Sequence, residues 1–157
     1  MVKTGIGYDV HPLAEGEVLI IGGIKIDSPF GSVGHSDGDV LLHAIVDALL
    51  GAAALGDIGQ HFPSSDKRWK GKDSIHFLKH ACHLVNDAGF KINHIDSTVI
   101  LEKPKLVGII PEMIQKISHT LKLNVVSVSV KATTTDKMGF IGRGEGVGAV
   151  AVATISK

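Results

Sequence analysis

The sequence predicts an α+β fold in which helices cover one face of a mostly antiparallel β-sheet. Apolar side chains alternate along several stretches, including residues 2–11 and 125–133, and a period of two is typical of half-buried strands. Three other stretches repeat apolar residues with the helical period. Strands and helices do not alternate strictly along the chain, which favours α+β over a parallel α/β fold. The length of 157 residues predicts a single domain over residues 1–157.

The first half of the chain is predicted to contain three strands and two helices. Gly22-Gly23 separates two short apolar runs, which indicates a hairpin. Ser36 or Asp37 is the expected N-cap of the first helix, and Gly89 is a typical stop signal for the second. The expected elements are strands at 2–11, 18–21 and 24–26, a loop at 27–34, a helix from about 39 to 54, a polar loop at 56–66 and a helix at 72–88.

The second half of the chain is predicted to place one helix between strands. Pro111 opens that helix, where proline is favourable. Val126, Val128 and Val130 share one face of the strand that follows. Because helices cover one sheet face, we expect the other to be covered by a second copy in a homo-oligomer. The expected elements are a strand at 92–102, a turn at 104–108, a helix at 111–121, a strand at 125–133, a glycine-rich loop at 139–148 and a strand at 150–155.

The composition excludes several classes of protein. Lys and Arg together number 16, as do Asp and Glu, so the chain lacks the basic excess of a nucleic-acid or membrane-surface binder. The single cysteine, Cys82, excludes an internal disulfide and fits a reducing compartment. No apolar run approaches about 20 residues and no secretion signal is recognisable, so we expect no membrane span. The expected location is the cytoplasm, or the plastid stroma for a processed plant-type protein.

Asp9 and His11 stand two residues apart in the first predicted strand. Their side chains therefore point from the same face, and together they supply two of the three protein ligands of a typical catalytic zinc site. His43 in the first helix is the best candidate for the third ligand. Asp39 and Asp47 lie one turn before and after it, and either carboxylate could hold its second ring nitrogen. Alternatively, His43 is a surface residue with helix-stabilising neighbours.

A second row of possible metal ligands lies on the second predicted helix. It consists of His76, His80, His83 and Asp87, which recur at helical spacing. The row lies opposite the apolar face of its helix, and no other element supplies a closing ligand. We therefore interpret it as a solvent-exposed face.

Three short segments carry groups that suit phosphate. His35-Ser36 directly precedes a helix N-terminus, where backbone N–H groups favour anions. Residues 131–136 end a strand with three threonines and Asp136, whose carboxylate suits a hard cation such as Mg²⁺. Arg143 lies in a glycine-rich turn, and a guanidinium can bind phosphate with two hydrogen bonds. Each segment also has a purely structural interpretation, and no Walker-type phosphate loop is present.

Five motifs taken together resemble those of one enzyme family. They are Asp9-Val10-His11, residues 35–39 with His43, residues 51–59, residues 131–135 and residues 139–146. In this order they are similar, over essentially the whole chain, to the 2-C-methyl-D-erythritol 2,4-cyclodiphosphate synthases of the non-mevalonate isoprenoid pathway. The resemblance implies conversion of 4-diphosphocytidyl-2-C-methyl-D-erythritol 2-phosphate into the cyclic diphosphate with release of CMP. It also implies a homotrimer with active sites at the subunit interfaces.

The same resemblance implies roles for particular residues. Asp9, His11 and His43 would bind zinc, and Mg²⁺ or Mn²⁺ would accompany the substrate diphosphate near Asp136. The substrate's own 2-phosphate would be the nucleophile, while His35 and Thr134 would donate hydrogen bonds in the transition state. The implied substrate-binding residues are Asp9, His11, His35, Ser36, Asp57, Ile58, Gly59, Phe62, Pro63, Ser64, Ser65, Asp66, Leu101, Lys103, Pro104, Lys105, Leu106, Val107, Ala132, Thr133, Thr134, Thr135, Asp136, Phe140 and Arg143.

The implied substrate site has two parts. Residues 57–59 would hold the erythritol and the loop at 62–66 would close over it. Residues 101–107 with Ala132 would form a cytidine pocket lent by a neighbouring subunit. Three positions depart from the family pattern: Asp136 stands where glutamate is expected, Ser64 replaces an acidic residue, and Val150 lies where some members carry glutamate.

Two other functions are alternatives to the cyclising lyase. One is a zinc-dependent hydrolase of phosphate esters on the same scaffold, which needs a general base to activate water. Asp57 and Asp66 are the candidate bases in the loop. The other alternative is a trimeric binding module without catalytic activity, which needs no zinc.

Overall fold

The computed structural model describes residues 1–157 and contains a five-stranded sheet, a separate two-stranded hairpin and helices on one sheet face. The strand order in the large sheet is β4-β1-β7-β5-β6, and β2 pairs with β3. The elements are β1 Val2–Glu15, β2 Leu19–Ile21, β3 Ile24–Ile26, β4 Phe30–Ser32, α1 Val40–Ala53, α2 Ile58–His61, α3 Ser74–Asp87, β5 Lys91–Ile100, α4 Ile110–Leu121, a 3₁₀ turn Val125–Ser127, β6 Val128–Thr133, α5 Gly139–Gly142 and β7 Gly146–Ser156.

The large sheet is antiparallel except at one edge. Strand β1 pairs with β4 and β7, and β7 pairs with β5, all antiparallel, whereas β5 and β6 are parallel. A parallel pair needs a crossover connection, and α4 provides it. The predicted α+β class with a mostly antiparallel sheet is confirmed. None of the helices combines the length and the hydropathy needed to cross a bilayer.

Helix α1 packs closely against the centre of the sheet because small residues form both surfaces. A Cβ atom on Gly5 would lie 2.1 Å from the carbonyl oxygen of Ala48, and one on Gly7 would lie 1.9 Å from that of Ala44. These positions therefore require glycine, since any side chain would collide with the helix backbone. Strand β7 adds small buried side chains to the same core, namely Ala149, Ala151 and Ala153.

The opposite face of the sheet is exposed in the single chain. On β1 the side chains of Val2, Ile6 and Tyr8 are 69%, 70% and 61% exposed. They alternate with buried or half-buried residues that face α1, as the period of a strand requires. An exposed row of large apolar side chains is typical of an interaction surface.

Two predictions for the segment before α1 are wrong. The N-cap is Asp39, not Ser36 or Asp37, because the Asp39 carboxylate is held by donors from both α1 and the β2–β3 hairpin. The loop predicted at 27–34 contains β4, which pairs with an extension of β1 as far as Glu15. Both errors arise because partners distant in sequence supply the hydrogen bonds.

Other corrections concern the ends of elements. Val126 does not share a face with Val128 and Val130, because it lies in the 3₁₀ turn and is 81% exposed. Helix α2 lies within the polar loop predicted at 56–66, and α5 within the glycine-rich loop. Strand β7 begins at Gly146, earlier than predicted, because β1 pairs with its first residues. The remaining predicted boundaries agree with the structure to within two residues.

Asp39 joins the β2–β3 hairpin to the start of α1. Its carboxylate is fully buried and accepts hydrogen bonds from the backbone N–H groups of Gly22 at 2.9 Å, Gly23 at 2.7 Å and Leu42 at 3.0 Å. The Asp39→Ala variant leaves these donors without an acceptor, and each buried unsatisfied donor costs about 1–3 kcal/mol. We expect the free energy of unfolding to fall by about 3 kcal/mol or more in urea denaturation.

Asp73→Ala is the matched control for this prediction. Asp73 is the N-cap of α3, but it is exposed and its side chain makes no capping hydrogen bond. The control variant should lose less than about 0.5 kcal/mol. Equal losses in the two variants would contradict the role assigned to the buried Asp39 carboxylate.

Candidate active site

Three side chains that could bind a metal meet between β1 and α1. Asp9 and His11 lie on the face of β1 that contacts α1, and His43 lies in the first turn of α1. The Asp9 Oδ2 atom is 2.9 Å from His11 Nε2 and 3.1 Å from His43 Nδ1, and the two nitrogens are 3.1 Å apart. No other group of three or more such side chains in the chain brings its ligand atoms together in this way. We call these three residues the metal triangle.

The metal triangle fits a tetrahedral metal ion. Zinc bonds of roughly 2.0–2.1 Å would place neighbouring nitrogen and oxygen ligands about 3.3 Å apart. The spacings observed are close to that value. One carboxylate and two imidazoles also form a usual donor set for a catalytic zinc site with one open position. The triangle is therefore compatible with a bound metal ion.

The electrostatics of the triangle keep Asp9 ionised. Burial acts to raise the pKa of Asp9, but the neighbouring imidazole rings of His11 and His43 lower that pKa to about 2. Burial acts to lower the pKa of His11, while the hydrogen bond and charge of Asp9 raise it. A carboxylate that is ionised before a cation arrives is ready to act as a ligand.

The second ring nitrogen of His43 is not held by either residue predicted for it. His43 Nε2 lies 2.8 Å from the hydroxyl oxygen of Ser74, at the start of α3. The carboxylate of Asp39 caps α1, and that of Asp47 accepts from the backbone N–H of Ile58 at 2.7 Å. The prediction is wrong because it considered neighbours on one helix, whereas the partner comes from a helix packed against α1.

A cleft of about 400 Å³, here the first cleft, lies beside the metal triangle. Aromatic rings form part of its wall. Phe62 stacks on Phe77 with ring centroids 4.5 Å apart, and Trp69 meets Phe62 edge-on at 5.0 Å. The lining residues are His11, His35, Ser36, His43, Ile58, Gly59, Phe62, Ser64, Asp66, Trp69, Lys70 and Phe77.

Sequence reasoning missed three residues of the first cleft. They are Trp69, Lys70 and Phe77. A signal existed for the first two, because the only tryptophan of the chain stands in a polar loop between basic residues. No signal existed for Phe77, because its spacing in α3 is that of an ordinary core residue.

Several predicted residues of the same region lie outside the lining of the first cleft. Pro63 and Ser65 do not contribute to it. Asp57 is the N-cap of α2 and accepts a hydrogen bond from the backbone N–H of Gln60 at 2.9 Å. Asp66 lines the cleft, and its carboxylate is paired with the guanidinium of Arg68.

A second cleft of about 170 Å³ lies between the segment that follows β5 and the end of β6. Eight of the predicted site residues line it together with Glu102, which sequence reasoning did not single out. The two clefts share no lining residue, so a single chain does not unite the metal triangle with the second cleft. The predicted residues of the second cleft are Leu101, Pro104, Lys105, Leu106, Val107, Ala132, Thr133 and Thr134.

The remaining predicted residues lie near the ends of β6 and β7. Lys103 and Arg143 line a third cleft of about 330 Å³. Arg143 Nε donates to Glu145 Oε1 at 2.8 Å, and this ion pair is exposed. The segment between β6 and β7 carries three more predicted residues, Thr135, Asp136 and Phe140.

The structure does not bring the histidine row of α3 together as a metal site. His76, His80, His83 and Asp87 are exposed, and no three of them bring ligand atoms together. The His80 ring instead meets the Phe62 ring at 5.3 Å between centroids. The interpretation of this row as a solvent-exposed face is confirmed.

Comparisons with known proteins agree over the whole chain. The model of the YgbB family matches residues 2–156. The 2-C-methyl-D-erythritol 2,4-cyclodiphosphate synthase of Alkaliphilus oremlandii is 51% identical over 156 residues, which cover 99% of each chain.

Solved structures of similar proteins have the same fold. The bifunctional IspDF from Campylobacter jejuni aligns with a TM-score of 0.95 at 42% identity, over 99% of this chain and 42% of that chain. A 2C-methyl-D-erythritol-2,4-cyclodiphosphate synthase in a CDP-bound form aligns with a TM-score of 0.92 at 36% identity, over 98% of this chain and 100% of that chain. The chain therefore belongs to the YgbB family, the family of the 2-C-methyl-D-erythritol 2,4-cyclodiphosphate synthases.

Proposed function

We propose that this chain is a phosphorus–oxygen lyase that converts 4-diphosphocytidyl-2-C-methyl-D-erythritol 2-phosphate into 2-C-methyl-D-erythritol 2,4-cyclodiphosphate and CMP. An oxygen of the 2-phosphate attacks the β-phosphorus and closes the ring. The bond from the β-phosphorus to the oxygen that bridges to the α-phosphate breaks, and CMP leaves with that oxygen. Family membership supports the proposal, and the observation that carries it is the metal triangle of Asp9, His11 and His43 beside the first cleft.

The triangle is proposed to hold zinc, since its donor set and spacing fit that ion. Zinc bound there would polarise the β-phosphate and hold it in line for attack. Asp9 supplies the one negative charge among the three ligands, so a zinc complex keeps a net positive charge toward phosphate. The two imidazoles would bind as neutral ligands, which requires an unprotonated nitrogen on each ring.

Because the nucleophile belongs to the substrate, the protein's task is positioning and charge neutralisation. His35 and Ser36 line the first cleft next to the triangle, where they are placed to contact the substrate phosphates. Thr134 lines the second cleft. His35 and Thr134 are proposed to donate hydrogen bonds to phosphate oxygens as charge shifts in the transition state.

The erythritol and cytidine parts of the substrate are proposed to occupy different clefts. Ile58 and Gly59 line the first cleft, which suits the erythritol part. The second cleft is lined by Leu106 and Ala132 among others, and its small apolar lining suits a nucleoside. A relative whose structure has CDP bound supports a cytidine nucleotide as ligand. Asp136, exposed beyond the end of β6, is proposed to serve Mg²⁺ or Mn²⁺ on the diphosphate, directly or through water.

A homotrimer with interfacial active sites completes the proposal. Two observations support it: the clefts share no lining residue within one chain, and the outer face of the sheet exposes Ile6 and Tyr8. Packing the three outer faces together would cover these side chains and bring the second cleft of one subunit to the metal triangle of its neighbour. One hydrophobic cluster within each chain supports a single domain over residues 1–157, and a cytoplasmic location is part of the same proposal.

The hydrolase alternative needs a free general base near the triangle. Its two candidates are both engaged: Asp57 caps α2, and Asp66 pairs with Arg68. Asp66 also has a pKa lowered by its hydrogen bond with Arg68, which weakens it as a base. These contacts favour the lyase over the hydrolase.

Product analysis of the zinc-loaded protein tests the proposal. With the cytidyl substrate and Mg²⁺, phosphorus NMR should show equal amounts of CMP and a cyclic diphosphate. A linear phosphate product would support the hydrolase. Absence of CMP release from a protein that contains zinc would overturn the lyase proposal, and a protein that binds no zinc at all would support the binding module.

A further inference from the structure

We propose that Ser74 and Asp37 are positioning residues that place the proton of His43 on the nitrogen turned away from the metal triangle. The inference rests on the proposed metal site and deepens it. Neither residue belongs to the triangle or to the lining of the clefts.

His43, Ser74 and Asp37 form a chain of hydrogen bonds across three parts of the fold. His43 Nε2 lies 2.8 Å from Ser74 Oγ. The Ser74 hydroxyl donates to Asp37 Oδ1, and the Ser74 backbone N–H donates to Asp37 Oδ2 at 2.9 Å. The Ser74 side chain is fully buried and His43 is 8% exposed, so water competes little for these bonds.

The single proton of the Ser74 hydroxyl decides the tautomer of His43. The carboxylate of Asp37 can only accept hydrogen bonds, so the hydroxyl proton lies between Ser74 and Asp37. The Ser74 oxygen is then an acceptor toward His43, and Nε2 must carry the proton. A neutral imidazole has one N–H group, which leaves Nδ1 with a free lone pair. Ser36 Oγ, 3.2 Å from the same Nε2, can accept that proton too.

Without these hydrogen bonds from Ser74 and Asp37, the metal triangle itself would favour the tautomer of His43 that carries its proton on Nδ1. Nδ1 of His43 lies 3.1 Å from Asp9 Oδ2, and hydrogen bonds to a charged acceptor are the stronger kind. Asp9 therefore draws a proton to Nδ1, and a protonated Nδ1 cannot bind a metal ion. Ser74 and Asp37 oppose this effect because they hold the proton on Nε2, which leaves Nδ1 free to bind the metal ion.

Asp37 also ties α3 to the metal triangle. The N-cap of α3, Asp73, makes no capping hydrogen bond with its side chain. The backbone N–H of Ser74 is one of the donors that a helix start leaves unpaired, and Asp37 accepts from it. The same carboxylate therefore anchors α3 and orients the hydroxyl that holds His43.

The first test removes the hydroxyl. For Ser74→Ala we expect zinc to bind 10–100-fold more weakly, as is usual when a residue that holds a metal ligand is lost, measured by chelator competition on the whole chain. In the metal-free protein, nitrogen NMR of the His43 ring should show the proton move from Nε2 toward Nδ1. The matched control is Ser118→Ala, a buried serine of α4 whose hydroxyl donates within its own helix to the carbonyl of Gln115. The control should change neither quantity.

A second variant tests the hydrogen-bond relay from His43 through Ser74 to Asp37 while the Ser74 hydroxyl is still present. Asp37→Asn keeps the volume but replaces one acceptor atom by an N–H donor, so the Ser74 proton loses its fixed partner. We expect the same direction of change in zinc affinity and in the His43 ring nitrogens. Wild-type zinc affinity and unchanged ring nitrogens in both variants would overturn the relay.

These results separate the relay from the proposed function. If the wild-type protein binds zinc and His43→Ala retains it, the metal site itself is wrong. If zinc is lost in His43→Ala but Ser74→Ala and Asp37→Asn bind it as the wild type does, only the relay is wrong. The NMR measurement on metal-free protein decides the tautomer without reference to zinc or turnover.

Discussion

The His43→Ala variant should lose the proposed zinc ion and its turnover while it remains folded. Three ligand atoms form the triangle, and removing His43 Nδ1 leaves only Asp9 and His11. Because the loss of a supporting residue alone costs 10–100-fold in metal affinity, we expect loss of the ligand to cost more than about 100-fold. The β-phosphate would then lack its proposed anchor, so turnover should fall to background. Metal analysis and CMP release measure the two effects.

The fold should survive the His43→Ala substitution. His43 packs beside the Phe77 ring at 6.0 Å between centroids, so truncation removes some buried contacts. A loss of about 1–3 kcal/mol is typical of such changes and lies within the stability of most domains. Light scattering should give the same mass for variant and wild type, and the proposed homotrimer would give three times the mass of one chain.

His80→Ala is the matched control for His43→Ala. His80 belongs to the exposed histidine row of α3 and contacts the aromatic wall of the first cleft. Its removal should leave zinc content unchanged. The reverse pattern, with zinc retained in His43→Ala and lost in His80→Ala, would assign the metal to the row on α3.

The Gly7→Ala variant should unfold the protein or come close to it. The new Cβ would lie 1.9 Å from the carbonyl oxygen of Ala44 and 2.8 Å from the backbone nitrogen of Ala48. Both are backbone atoms in the middle of α1, so no side-chain rotation can relieve the collision. Separating β1 from α1 would open the centre of the core, and we expect a loss above about 4 kcal/mol. Urea denaturation and circular dichroism measure this loss.

The same substitution should disturb the metal triangle. Asp9 lies two residues after Gly7, on the same face of β1, and His43 directly precedes Ala44 on α1. Any shift that makes room for the methyl group therefore moves the ligands apart, and any folded fraction should bind zinc weakly.

Gly108→Ala is the matched control for Gly7→Ala. A Cβ at Gly108 would meet nothing within 4 Å, and the residue does not have a positive φ. The control should stay within about 0.5 kcal/mol of the wild type. A Gly7→Ala protein with the wild-type unfolding midpoint would contradict the close packing of β1 against α1.

Much of the fold could be predicted from local patterns. The alternation along β1 puts Asp9 and His11 on one face, because successive side chains of a strand point to opposite sides. Helices α1 and α3 could be predicted equally well, because their apolar residues recur with the helical period. The hairpin at Gly22-Gly23 formed as predicted, with both glycines at positive φ. These features depend on neighbours within a few residues, which is the range that sequence patterns report.

Parts of the site could not be predicted in this way. Ser74 reaches His43 only because α3 packs on α1, and the pattern of α3 gives no reason to single out that serine. Phe77 lines the first cleft, yet its spacing is that of a core residue. Glu102 lines the second cleft beside residues of β6, which pairs with β5 across a long connection. Contacts between distant segments depend on packing, which spacing alone does not encode.

The sequence by itself determined the α+β class, the side chains of the candidate metal site and the family to which the chain belongs. Only the tertiary structure decided which groups are held by three similar carboxylates in and near α1. Asp37 holds Ser74, Asp39 holds the β2–β3 hairpin and Asp47 holds the start of α2. An aspartate has the same hydrogen-bonding capacity wherever it stands, so its role is set by the donors that packing brings to it.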